Sequence, residues 1–103
     1  MSPEAQEAYR EIQRSTPSDA AFIAEKPRAL ALFTGRKAAF DVPSLPPDAF
    51  GTFVKQKNIH YLLLDLASES VRNGEYKKQI PSEIIPTNVW ASARYAIVKL
   101  DWN

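Results

Sequence analysis

The chain has 103 residues, 13 of them basic and 12 acidic, for a formal net charge of +1; hydrophobic residues make up 45% and charged ones 24%. It holds no Cys and one His, which excludes disulfides, Cys-zinc sites, thiol nucleophiles and any site needing two imidazoles; the near-neutral balance gives no electrostatic footprint for nucleic acid. The composition is that of a soluble globular domain, and the length fits one α/β domain over residues 1–103 that buries about 65% of its unfolded surface in a single core.

The first element reads as a helix. Ser2 can cap it, Pro3 suits its first position and Glu4 favours its positive end. Ala5, Ala8, Tyr9 and Ile12 recur at helical spacing and give one apolar face. The run Ser15-Thr16-Pro17-Ser18-Asp19 ends it. Residues 20–25 read as strand one. Pro27 opens a short helix over residues 28–34, which Gly35 closes. Residues 37–41 read as strand two and 42–47 as a Pro-rich loop. A helix over residues 48–57 places Phe50, Phe53 and Val54 together, with Asn58 as its stop.

Residues 59–66 form the clearest strand. The run is nearly continuous hydrophobe, as a central parallel strand covered on both faces requires. Residues 67–88 read as polar and irregular, with a short helix near 68–73 stopped by Gly74 and a turn near 81–85. The end of the chain reads as a hairpin. Residues 89–92 pair with Tyr95–Trp102, and that last strand is expected to be an exposed edge open to partners. The order predicts a Rossmann-like three-layer sandwich: a mainly parallel sheet with a C-terminal antiparallel hairpin.

Ligands of open α/β sheets bind beyond the carboxyl ends of the parallel strands. Two places qualify. At the first, strand one turns into a helix through Glu25-Lys26-Pro27-Arg28, and Lys26, Arg28, Arg36 and Lys37 follow one another with no acid between them. Cations at a helix N-terminus oppose the dipole unless an anion is close. Lys26, Arg28 and Arg36 are therefore candidate anion-binding residues; the plainer alternative is a solvated basic loop partnered by Glu25 or Asp19. The second place is Asp65, at the end of strand three. It can be a ligand contact or a base, or simply a loop hydrogen bond. Neither a dinucleotide-binding nor a P-loop glycine pattern occurs. His60 falls at the opposite end of its strand from Asp65, which leaves no triad. Trp90, Trp102, Tyr76 and Tyr95 could stack on a sugar or serve as packing. No catalytic residue, metal site or cofactor is expected.

An ordered set of short motifs extends this reading. It runs from Thr16-Pro17-Ser18-Asp19-Ala20 through Lys26-Pro27-Arg28 and Thr34-Gly35-Arg36-Lys37 to Pro46-Pro47-Asp48. The strand Ile59-His60-Tyr61-Leu62-Leu63-Leu64-Asp65 follows, and Arg94-Tyr95-Ala96-Ile97-Val98 begins the last one. The set resembles the C-terminal soluble domain of polytopic membrane glycosyltransferases similar to dolichyl-phosphate-mannose–protein mannosyltransferases. It departs from them at Asn58-Ile59-His60, where that family carries Gly-Val-Asp, and over residues 68–88. The resemblance implies a non-catalytic, periplasmic accessory domain of an enzyme that transfers sugar from a lipid-phosphate carrier. Its partners would be the membrane domain of the same polypeptide and a glycan or lipid-linked sugar phosphate. The isolated domain would be a monomer or weak dimer, and residue 1 need not be the natural start. No catalytic residue of that family maps onto this chain. The alternative is a free-standing α/β binding or interaction module.

Overall fold

A computed structural model describes residues 1–40 and 46–102. The chain orders as α1 (Pro3–Ser15), β1 (Ala21–Ala24), α2 (Pro27–Thr34), β2 (Lys37–Phe40), α3 (Pro47–Gln56), β3 (Tyr61–Asp65), α4 (Glu69–Arg72), α5 (Glu75–Gln79), β4 (Ile84–Ala91) and β5 (Tyr95–Trp102). The expected end of strand two at Asp41 and most of the Pro-rich loop lie outside the described residues.

Helix α1 forms as its sequence dictates. The Ser2 hydroxyl accepts the Ala5 amide at 3.2 Å, and Ala5, Ala8, Tyr9 and Ile12 are its buried face. Helix α2 ends on Gly35, whose φ of 73° closes the last turn with an amide bond to the Ala31 carbonyl. Asn58, also left-handed at φ 54°, turns the chain out of α3.

The strands form one sheet of order β2-β1-β3-β5-β4. β1 pairs in parallel with β2 and β3, whereas β3–β5 and β5–β4 are antiparallel. The sheet is therefore mixed, not mainly parallel. The apolar run of β3 arises because both its faces are buried, a condition that a central strand meets whatever the direction of its neighbours.

Helices cover both faces. On one, α1 and α2 pack Ala8, Ile12 and Leu30 against Phe22, Tyr61 and Ile97. On the other, α3 packs Phe50 and Val54 against Ile23, Leu62 and Val98, with Tyr76 of α5 at the margin. Phe22, Ile12, Leu30 and Ile97 are fully enclosed, and burying each such side chain contributes about 2 kcal/mol. The connection through α2 carries the chain from β1 outward to β2. The connection through α3 carries it back past β1 to β3 on the opposite face, as two right-handed crossovers running in opposite directions require.

Two further expectations change. β5 is interior, hydrogen-bonded on both sides, so Tyr95–Trp102 is not an edge; the edges are β4 on this side and β2 on the other. β4 starts at Ile84, five residues earlier than its sequence suggests. Seven of its eight residues, from both faces, are exposed or half-buried, so no buried apolar row marks it in the sequence. Leu100 donates its amide to the His60 carbonyl, so its partner Pro86 occupies a non-hydrogen-bonded position toward β5. The place where an amide would face an incoming strand is thus held by a proline, and a register shift follows between Asn88 and Trp90. Both features blunt an edge against strand addition.

Candidate functional site

The connections leaving β1 and β3 diverge. One goes toward β2 and the other, through α4 and α5, toward the β4–β5 hairpin. The carboxyl ends of β1 and β3 therefore flank a topological switch point, where an open sheet leaves a crevice. Such a crevice is present, with a cavity of about 30 Å³ lined by Tyr9, Ala24, Glu25, Lys26, Leu63, Asp65 and Tyr95.

Asp65 ends β3 and is held from three sides. Arg94 donates to it through Nε at 2.7 Å and Nη2 at 3.1 Å, and the Ala67 amide donates at 3.0 Å. Arg94 reaches it because Tyr95 pairs opposite Asp65 in the sheet. The hairpin turn is fixed by the Ser92 hydroxyl, which accepts the Arg94 and Tyr95 amides at 3.3 and 3.1 Å. The Arg94 bonds hold the Asp65 carboxyl below the ordinary carboxylate range, against the opposing effect of burial. An Asp so held is an anchored carboxylate and a weak base.

Lys26 stands on the crevice wall at the start of α2. No side chain caps this helix, and Pro27 fills its first position. The amides of Arg28 and Ala29 therefore have no intrahelical partner. Among the described residues no ion pair holds Lys26, whose ammonium acts on Asp65 only through its field. Tyr9 reaches the crevice from α1 and Tyr95 from β5. Burial raises the pKa of both phenols, so both stay protonated at neutral pH.

Of the four residues singled out from sequence, Lys26 and Asp65 come together. Arg28 is exposed on the first turn of α2, and Arg36 lies past its other end. Arg36 Nε donates to Thr16 Oγ1 at 3.3 Å, Nη1 to the Thr34 carbonyl at 3.0 Å, and Nη2 to the carbonyls of Gln13 and Thr16 at 3.1 and 3.0 Å. It clasps the C-terminal ends of α1 and α2, where carbonyls collect and a cation is favoured. His60 is exposed and bonded to Asn58 at 3.0 Å. Trp90 is packed against the α1 side of the core, and the Lys55 ammonium lies 5.7 Å from the ring of Trp102.

Sequence reasoning missed Tyr9 and Arg94 at the crevice and took Tyr95 as a stacking surface or hairpin packing. Nothing in their local spacing points there; the pairing register of β3 with β5 and the lie of α1 do. Among the described residues no three His, Asp or Glu side chains gather where they could hold a metal ion. No described helix is long and apolar enough to cross a membrane. No protein-family model and no curated protein sequence matches the chain.

Proposed function

We propose that this chain is a non-catalytic accessory domain of a membrane glycosyltransferase, placed on the periplasmic face, where it contacts the membrane domain or the acceptor. The observation that carries this reading is the ordered motif set. Its Thr-Pro-x-Asp-Ala and Thr-Gly-Arg pieces are far apart in sequence, yet Thr16 and Arg36 from them meet in one hydrogen-bonded corner. The site supports binding over reaction. Asp65 is engaged by Arg94, and a 30 Å³ cavity is well below the roughly 300 Å³ at which pockets enclose a small molecule. In this reading the membrane helices precede α1. Glu4, in its first turn, is close enough to act electrostatically on Arg94 and Tyr95, so the crevice end of the sheet would face the membrane domain.

The test is to read the source DNA upstream of the codon for residue 1. An in-frame extension with several apolar runs of about 20 residues is the expected result. A stop codon and a ribosome-binding site immediately upstream would overturn the reading. The second reading, a free-standing interaction module, is favoured by the exposed apolar side chains Leu32, at 77%, and Phe40, at 62%. Sedimentation over a range of concentrations tests it for self-association, and a strict monomer would argue against that mode.

A further inference from the structure

The crevice has more donors than the protein uses. Tyr9 is only 9% exposed, and no hydrogen bond to its hydroxyl is formed among the described residues. Among the described residues every side-chain nitrogen or oxygen sealed from solvent has a partner, so the Tyr9 hydroxyl opens into the crevice that its side chain lines. The Tyr9 ring belongs to the buried core while its hydroxyl faces the crevice, where it can donate to whatever enters. Tyr95 and Lys26 line the same crevice, and Lys26 is the cap position of α2, an eight-residue helix with no acid in its first turn. Asp65 offsets these groups only in part, because Arg94 pairs with it through a two-pronged bond while Lys26 acts on it through its field. Glu25 is exposed on the rim, and both it and Glu4 act on Tyr95 through their fields.

We infer that this crevice binds a phosphate monoester, with one phosphoryl oxygen entering between Tyr9, Lys26 and Tyr95 and the others meeting the amides of Arg28 and Ala29. The cavity holds about one water-sized atom, which suits a single oxygen and excludes a sugar ring or a base. Three terminal oxygens and a double negative charge match two hydroxyl donors, an ammonium and a helix N-terminus. The inference rests on this geometry and is independent of the glycosyltransferase reading.

The test is an amide-resolved NMR titration of the whole domain. Inorganic phosphate and glycerol 3-phosphate are the soluble probes, with sodium chloride at matched ionic strength as control. Saturable shifts confined to Lys26, Arg28, Ala29 and the Asp65–Ala67 turn are expected. Lys26→Ala should weaken binding at least tenfold and Tyr9→Phe about threefold, while Glu25→Gln should tighten it. Lys78→Ala, on α5, should leave it unchanged. Co-sedimentation with phosphatidic acid vesicles, against phosphatidylcholine alone, separates the sources. Pelleting that Lys26→Ala abolishes assigns a lipid headgroup, and saturable binding of the soluble probes alone assigns a free ester. The inference is overturned if sodium chloride reproduces the shifts, if they spread over the surface lysines, or if Lys26→Ala and Tyr9→Phe bind like the parent.

Discussion

Lys26 precedes α2 and Arg36 follows it, about 12 Å of helix apart. Both belong to one basic stretch, and both flank the same eight residues. At the trailing end, carbonyls of two helices converge and Arg36 answers them with its whole fork. At the leading end, no side chain caps the amides and, among the described residues, no carboxylate is bonded to the Lys26 ammonium. A cation after a helix completes the backbone, whereas a cation before it leaves positive charge unanswered. Charge in a sequence thus acquires its meaning from helix polarity: Arg36 belongs to stability, and Lys26 is left for the binding proposed above.

The comparison predicts its largest effect at Arg36. Arg36→Ala should lower stability by about 2 kcal/mol, since four bonds to a partly buried guanidinium are lost together; for a domain of this size that is roughly 10 °C in melting temperature. Arg36→Lys should recover less than half, because an ammonium cannot reproduce the planar fork. Denaturant unfolding of the three proteins decides it, and an alanine variant as stable as the parent would remove the structural assignment. Next comes the hinge of the same corner. Gly35 has open space where a Cβ would go, so its φ of +73° is the sole obstacle to a side chain. Gly35→Ala should therefore cost about 1 kcal/mol, and Gly35→Asn less. Equal losses would mean that something other than backbone conformation governs the turn.

Much of this scaffold is legible in the residues themselves. Ser2, Pro3 and four apolar residues at helical spacing specify α1 down to its buried face, and Gly35 marks the end of α2. β5 is legible in extent and not in position. Alternation tells which side chains share a face, while the neighbours of a strand are chosen by long-range pairing. α5 is hidden because Gly74, read as a stop, is the left-handed residue from which the next helix starts. The site divides in the same way. Lys26 and Asp65 stand at strand ends and are visible as such. Arg94 and Tyr95 enter the crevice only through the opposition of Asp65 and Tyr95 in the sheet, and Tyr9 only through the way α1 crosses it.

A smaller effect belongs to the Asp65–Arg94 pair on the binding side. Its carboxyl titrates lower in the folded chain than in the unfolded one. The pair's contribution is therefore complete above about pH 4, the unfolded carboxyl range, and is lost as pH falls through the lower folded value. Asp65→Asn should flatten the acid limb of the stability curve and leave the neutral plateau slightly reduced. An unchanged acid limb would show that Arg94 does not hold the carboxylate in solution.

The smallest effect is the sharpest test of the contrast. Lys26 occupies the cap position of α2 without capping it, and its charge opposes the helix dipole. Lys26→Ala should leave stability within about 0.5 kcal/mol of the parent. Lys26→Ser, whose hydroxyl can accept a first-turn amide, should gain about 0.5 kcal/mol. A gain from Lys26→Ser would show that the residue at this cap position is not chosen for helix stability. If Lys26→Ser instead loses as much as Arg36→Ala, both ends of α2 are structural and the division between the two corners fails.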